Sequence, residues 1–118
     1  MGKTTETYQV VGVTFDGRQD ILSDFFKKTY RVGGNYPIML FLDNTNKYDK
    51  NAISVNVEIN GELKNIGFIS RDENIELRKK FTRIIDSKIH SMGPNYRGIV
   101  GLTIDIDFDD EELTEAEV

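Results

Sequence analysis

One polar loop carries the residues whose types and spacing could do chemistry. In residues 44–51, "NTNKYDKN", a tyrosine lies beside an aspartate, and a lysine lies on either flank. An exposed tyrosine ring can stack on an unpaired base, which contributes roughly 1–3 kcal/mol, and Lys47 and Lys50 could contact phosphates. The carboxylate of Asp49 would repel phosphates, so it favours a ligand that offers a hydrogen-bond donor, such as a terminal sugar hydroxyl. This chemistry would select the end of a strand over its middle.

The same loop has a purely structural interpretation. Asn, Asp and Lys are ordinary turn formers. Asp49 could simply cap local amides, and Ala52-Ile53 could draw the ring of Tyr48 inward as a lid. The two interpretations differ in whether that ring is exposed to solvent.

The elements that must position this loop are strands. Residues 38–42, "IMLFL", form a continuous apolar run that predicts a central strand buried on both faces. After the loop, residues 53–59 alternate between apolar and polar, which predicts a half-buried strand. Asn60-Gly61 is typical of a type I′ turn, so it predicts a hairpin into a further strand at residues 63–69.

The N-terminal part predicts a strand followed by a helix. Residues 8–15, "YQVVGVTF", are rich in valine and aromatics and end at Asp16-Gly17, which favours a strand closed by a turn. Asp20 then suits the N-cap of a short helix that Gly33-Gly34 ends. The apolar residues at helical spacing are Ile21, Leu22, Phe25 and Phe26.

The C-terminal part predicts a second helix and a last strand. Ser70-Arg71-Asp72-Glu73 matches a capping box, which predicts a helix start. The expected apolar stripe of that helix is Leu77, Phe81, Ile84 and Ile85, with Lys88 at its polar end. Residues 92–95, "MGPN", should break the chain, and residues 100–108 alternate as a long strand.

These elements predict an α+β fold that is mainly β. Hairpin connections dominate, and no helix fits between the central strands to make parallel crossovers. A small, curved antiparallel sheet or partly open barrel of about six strands with two helices is therefore expected.

Composition places further bounds on the chain. It has 118 residues, no cysteine and one histidine, so one domain is expected, and thiol chemistry and cysteine-ligated zinc are excluded. We expect no catalytic residues, metal or cofactor. No apolar run approaches the roughly 18 residues that span a bilayer, and the N-terminus lacks the apolar core of a signal peptide, which predicts a cytoplasmic protein without a membrane partner.

Charge is distributed unevenly along the chain. The net charge is −5, yet eight of the twenty acids fall in residues 104–118 and all fifteen Lys and Arg precede residue 104. Residues 1–108 are predicted to form the domain and residues 109–118 a disordered, solvated tail. A tail that competes with an anionic ligand is the alternative.

Three segments together resemble a known family. "VVGVTF" near the start, "NKYDKNAISV" in the middle and "IGFIS" before the second helix look like the HIRAN domain, over roughly residues 7–106. That domain occurs at the N-terminus of Swi/Snf-type DNA-repair ATPases and as a short, stand-alone protein in bacteria and phages. The resemblance implies an OB-like or SH3-like barrel that binds single-stranded DNA, in some members at its 3′ end, with a helicase-like ATPase or another protein as a further partner.

The resemblance also implies roles for individual residues. Tyr48 would stack on terminal bases and Asp49 would bond the 3′ hydroxyl, while the "VGVTF" strand and the end of the "IGFIS" strand would add contacts. Thr14 and Phe15 stand where DNA-end-binding members place an arginine and a tyrosine, so a cation and a phenolic hydroxyl are lost and a ring is kept. The expected nucleic-acid-binding residues are Thr14, Phe15, Lys47, Tyr48, Asp49, Lys50, Phe68 and Arg71.

Other functions remain open from the sequence. A protein-interaction module could use the barrel groove or a sheet edge, whereas an enzyme would need an acid–base constellation that the sequence does not display. Asp105, Asp107 and Asp109 resemble a cation site only superficially, and Tyr36, Tyr96 and Arg97 could extend a stacking surface. The basic residues of the second helix, interpreted as a solvated face or a phosphate guide, are Arg78, Lys79, Lys80 and Arg83.

Overall fold

The fold is one antiparallel sheet with two helices. A computed structural model describes residues 2–110, so most of the predicted acidic tail lies outside the described residues. The sheet has the strand order β2-β3-β4-β1-β6-β5. Six strands and two helices confirm the predicted α+β, mainly β class. The elements are β1 (Lys3–Val11), α1 (Arg18–Lys28), β2 (Met39–Leu42), β3 (Ile53–Ile59), β4 (Glu62–Ile69), α2 (Arg71–Lys79), a 3₁₀ turn (Phe81–Arg83), β5 (Ile84–Pro94) and β6 (Val100–Asp109).

Strand β1 joins the two halves of the sheet. Its residues 3–9 pair with β6, whereas its last two residues, Val10 and Val11, pair with Ile69 and Phe68 of β4. The side chains of Val10, Ile66, Ile69 and Ile104 are buried in the core. Only two residue pairs, Val10 with Ile69 and Val11 with Phe68, form the seam between β1 and β4.

The β3–β4 hairpin forms as predicted. Asn60 and Gly61 have φ angles of 53° and 83°, which are the positive values that a type I′ turn requires. The apolar residues of β3 alternate inward, and all but Ile59 are fully buried. Asn56 is also buried. Its amide donates to Met39 O at 3.1 Å and to Ser54 Oγ at 3.0 Å, which compensates for the loss of water.

The prediction that residues 38–42 form a central strand is wrong. Strand β2 is at the sheet edge and pairs only with β3 among the described strands. Phe41 and Leu42 are 48% and 40% exposed. An apolar run is compatible with several strand positions, and only the pairing partners, which are distant in sequence, decide between them.

The predicted bounds of the first strand and helix are also wrong. β1 begins at Lys3 and ends at Val11, because Gly12 has a φ of 72° and the chain turns there. Helix α1 begins at Arg18, with Gly17 as its N-cap, so Asp20 lies in the first turn instead of capping it. The helix ends at Lys28, ahead of the predicted stop at Gly33-Gly34.

The second helix is shorter than predicted. Ser70 is its N-cap and accepts the N–H of Asp72 at 3.2 Å, but α2 ends at Lys79. Ile84 and Ile85 instead begin β5, which pairs with β6 along its length and satisfies more backbone groups than a lone helix end could.

Of the residues 92–95 that were predicted to break the chain, only Asn95 lies outside β5. Pro94 is the last residue of β5 and pairs with Val100, and β5 is an edge strand, where the missing N–H of a proline leaves no ladder bond unmade. The turn into β6 comes after it. Across residues 2–110, neither helix is long and apolar enough to cross a membrane.

Candidate nucleic-acid interface

The β2–β3 loop is held rigidly by its own side chains. Asn46 Oδ1 accepts the N–H groups of Tyr48 and Asp49 at 2.8 and 3.0 Å, and its amide nitrogen donates to Asp43 Oδ2 at 3.2 Å. The ring of Tyr48 is 79% exposed. The alternative in which this ring folds inward as a lid is therefore wrong, and the loop presents the ring to solvent.

Helix α2 anchors the same loop through Arg78. Its Nε donates to Asn51 O at 2.8 Å and its Nη2 donates to Ala52 O at 3.0 Å. Its Nη1 donates to the side-chain oxygen of Asn44 at 3.0 Å. A planar guanidinium can bond several carbonyls at once, so one side chain fixes both ends of the loop against the helix.

The carboxylate of Asp49 accepts two hydrogen bonds and lies near one cation. Its Oδ1 accepts the N–H of Asn51 at 2.9 Å, while its Oδ2 accepts Asn74 Nδ2 at 2.8 Å and lies 3.7 Å from Arg71 Nε. The Asn51 N–H, helped by Asn74 and Arg71, lowers the pKa of Asp49 from its ordinary value although partial burial opposes this. A carboxylate has about four acceptor positions. The two hydrogen bonds use two of these positions, so acceptor capacity remains for a hydroxyl donor.

An open groove of about 700 Å³ collects most of the predicted site residues. Phe15, which is 66% exposed, and Tyr48 contribute rings to its walls. Arg71 donates through Nη2 to Tyr48 O at 3.0 Å and so ties the helix start to the loop. The predicted site residues that line the groove are Phe15, Tyr48, Asp49, Phe68 and Arg71.

The remaining three predicted residues lie outside the groove lining. Thr14 is exposed on the turn after β1, and Lys50 is exposed on the loop. Lys47 Nζ is 5.6 Å from the centre of the Tyr48 ring, so this cation covers the ring instead of lining the groove.

Comparison with solved structures identifies the fold. The HIRAN domain of human HLTF superposes with a TM-score of 0.58, covering 93% of this chain and 83% of that chain at 21% sequence identity. This chain has a HIRAN-like fold. No family model and no curated protein matches its sequence.

Arg18 is a member of the groove that sequence reasoning missed. It is 9% exposed, and its guanidinium lies 5.0 Å from the centre of the Phe68 ring. It donates to Asn65 Oδ1 at 2.7 Å and to Gly12 O at 2.8 Å. An arginine at the start of a helix gives no sequence signal of burial. In this HIRAN-like fold Arg18 is buried partly by β4, which is distant from it along the chain.

The basic group on and after α2 is not a solvated face. Arg78 anchors the loop, and Lys80 Nζ bonds Glu6 Oε2 at 2.6 Å and lies 4.5 Å from the centre of the Phe108 ring. Arg83 donates through Nε to Asp109 O at 2.9 Å. The interpretation of this group as a solvated face is therefore wrong for these three residues.

The carboxylates of β6 are committed to neighbouring strands. Asp105 accepts Thr7 Oγ1 at 2.6 Å and lies 2.9 Å from His90 Nδ1, while Asp107 accepts Thr5 Oγ1 at 2.6 Å. Within residues 2–110, no three His, Asp or Glu side chains are grouped in a way that could hold a metal ion.

Proposed function

We propose that this chain is a non-enzymatic module that binds single-stranded nucleic acid, DNA in particular, at a free 3′ terminus. The observation that carries the proposal is the exposed ring of Tyr48 beside the ionised Asp49, at the rim of an open groove with further rings and cations. The HIRAN-like fold supports it, because the resemblance to that domain implies the same type of ligand.

Each groove group has a role that follows from its chemistry. The rings of Tyr48 and Phe15 would stack on the last bases, since every base has a flat face that an aromatic side chain can cover. A free acceptor position of Asp49 would take the 3′ hydroxyl. Arg71, whose side chain is 73% exposed, would meet the adjacent phosphate, and Arg18 would add positive potential beneath Phe68.

Replacing Asp49 by asparagine tests end recognition. We expect Asp49→Asn to bind an oligo-dT with a free 3′ hydroxyl about tenfold more weakly, because it loses an anionic acceptor whose hydrogen bond is worth roughly 1.5–3 kcal/mol. Binding of the same oligonucleotide with a 3′ phosphate should change less than about twofold. Fluorescence anisotropy with 5′-labelled strands at low salt measures both affinities.

The asparagine variant is chosen because the loop can accommodate it. Its side-chain oxygen can still accept the Asn51 N–H, and the buried amide of Asn74 can rotate to present Oδ1, which has no hydrogen-bond partner within the described part of the chain. A circular dichroism melt should therefore resemble that of the wild type. Equal losses of affinity on the two end types would remove the end-recognition proposal.

Replacing Tyr48 tests stacking separately from end recognition. Tyr48→Ala should weaken both end types by about tenfold, and Tyr48→Phe should keep most of the affinity, because the ring face and not the hydroxyl makes the contact. Val32→Ala is the matched control, since Val32 is 92% exposed but is not part of the groove lining. If Tyr48→Ala binds like this control, the ring is not the stacking platform.

A second candidate function is favoured by the edge of the sheet. Strand β2 exposes Phe41 and Leu42 and leaves one side of its backbone free of strand partners within the described chain. A peptide could add a strand there. If the wild-type protein binds no labelled single strand at high micromolar concentration, this protein-interaction function replaces the nucleic-acid one.

A further inference from the structure

A second groove lies on the other side of the turn that follows β1. It has a volume of about 520 Å³, and its walls include Val13, Met92, Pro94 and Ile99. The first groove is lined by Gly12 and Phe15 of the same turn. Residues 12–17 therefore form a wall that the two grooves share, and a flexible chain leaving the first groove needs to cross only this turn to enter the second.

The turn between β5 and β6 presents an aromatic ring beside the second groove. Tyr96 is 94% exposed, and the guanidinium carbon of Arg97 is 5.9 Å from the centre of its ring. Asn95 Oδ1 accepts the N–H groups of Arg97 and Ile99 at 2.8 and 3.1 Å. The turn is thus built like the β2–β3 loop: an asparagine holds the backbone while a tyrosine points into solvent next to a cation.

Gln19 fixes the positions of the two walls relative to each other. Its Nε2 donates to Val13 O at 3.0 Å and to Val100 O at 2.8 Å, and its Oε1 accepts the N–H of Val100 at 2.9 Å. One amide of α1 therefore links the shared wall to the first residue of β6. The separation between the grooves is part of the fold and not a chance arrangement of two loops.

We propose that the second groove binds the nucleotides on the 5′ side of the terminal ones, so that one single strand runs from the Tyr48 groove across residues 12–17 to Tyr96 and Arg97. This inference rests on the proposed function. Tyr96 would stack on an internal base and Arg97 would contact a neighbouring phosphate.

The chemistry of the second groove suits a nucleic-acid strand better than a peptide. Its polar lining groups within the described chain are neutral, among them Gln9, Ser91 and Thr103, so no carboxylate repels a phosphate inside it. A ring with an adjacent guanidinium matches a base with its adjacent phosphate. Further along the same sheet, Asp105 and Asp107 would repel the backbone, so the path should end near Thr103.

Oligonucleotide length provides the test. Wild-type protein should bind an oligo-dT of about 16 nucleotides more tightly than one of about 4, both with free 3′ hydroxyls. Tyr96→Ala should lower the affinity for the long strand by about tenfold and leave the short strand within about twofold, whereas Tyr96→Phe should bind both like the wild type. Anisotropy at low salt measures all of these affinities, and Arg97→Ala should give a smaller loss on the long strand alone.

A fluorescent base placed along the strand tests the direction. 2-Aminopurine at the 3′-terminal position should be quenched by wild type and by Tyr96→Ala, but not by Tyr48→Ala. At an internal position its quenching should depend on Tyr96 and not on Tyr48. Quenching that depends on Tyr96 at the 3′ terminus would reverse the proposed path and overturn it.

The outcomes separate this inference from the proposed function. If Tyr48→Ala weakens both strands but Tyr96→Ala weakens neither, the strand path is wrong, the 3′-end site stands, and a protein partner becomes the better occupant of the second groove. If wild-type protein binds neither strand, the proposed function fails and the path fails with it.

Discussion

Gly67→Ala is expected to lower the free energy of unfolding by about 3–5 kcal/mol, because overpacking and backbone strain act at the same residue. A Cβ atom at Gly67 would lie 2.5 Å from the carbonyl oxygen of Val11 and 2.5 Å from Val10 Cγ1. The oxygen belongs to backbone and cannot rotate away. Gly67 also has a φ of 154°, which side-chain-bearing residues rarely adopt.

The effect should be large because of where Gly67 lies in the sheet. It is next to the seam at which β4 pairs with Val10 and Val11 of β1, and only two residue pairs form that seam. A methyl group that pushes these strands apart has few other contacts to resist it. Phe68 and Ile69 of the same seam line the first groove. The affinity for single-stranded DNA should therefore fall together with the stability of the fold.

Chemical denaturation measures the loss for Gly67→Ala, with Gly101→Ala as the matched control. Gly101 is in β6, its φ is not in the positive region, and a Cβ there would meet nothing nearer than Gln9 Nε2 at 4.0 Å. The control should remain within about 0.5 kcal/mol of wild type. A Gly67→Ala midpoint equal to that of the control would show that β4 can move away from β1 freely.

The parts of the fold that the sequence predicts correctly are those in which local pattern and pairing agree. Asn60-Gly61 demands a turn that suits a two-residue hairpin, and the flanking strands are its immediate neighbours. Strand β6 alternates without interruption from Val100 to Phe108, and its pairing with two strands preserves that alternation. Neither element needs information from distant residues.

The parts that fail depend on distant partners. Ile84 and Ile85 fit a helical stripe about as well as a strand, and only pairing of β5 with β6 makes them strand. The edge position of β2 follows from the order in which strands pair, which hairpin signals alone do not specify. Local periodicity predicted the two helices and the strands of the β3–β4 hairpin, but it assigned the first residues of β5 to a helix and did not indicate where β2 lies.

The residues of the candidate site also fall into two groups, those that the local sequence indicates and those that depend on distant partners. Tyr48 and Asp49 are recognisable because a ring, a carboxylate and lysines are adjacent in one loop. Arg18, Asn74 and Arg78 are not, since each acts on a segment between six and about fifty positions away: Arg18 on Gly12 and Asn65, the other two on the β2–β3 loop. Sequence reasoning identified the exposed ring and the carboxylate of the proposed site and missed the residues that hold them in place.

Arg78→Met should therefore affect both stability and binding. We expect the free energy of unfolding to fall by about 2–3 kcal/mol, because the loop carbonyls of Asn51 and Ala52 lose a charged donor. The affinity for single-stranded DNA should fall by more than about tenfold, since Tyr48 and Asp49 lose their fixed position relative to α2. Denaturation and anisotropy on the same preparation measure the two effects.

Two neighbouring variants isolate the cause of the Arg78 effect. Lys79→Met removes the next cation on α2, whose Nζ bonds Glu76 at 3.0 Å on an exposed surface, and should cost less than about 0.5 kcal/mol and leave strand binding unchanged. Arg78→Lys keeps the charge but not the planar fork that reaches Asn44, Asn51 and Ala52 together, so it should recover only part of the loss. Full recovery of DNA affinity by lysine would mean that Arg78 acts on the DNA strand through its charge. Partial recovery supports the alternative that the helix positions the loop, and that the loop in turn positions the ring and the carboxylate for a strand end.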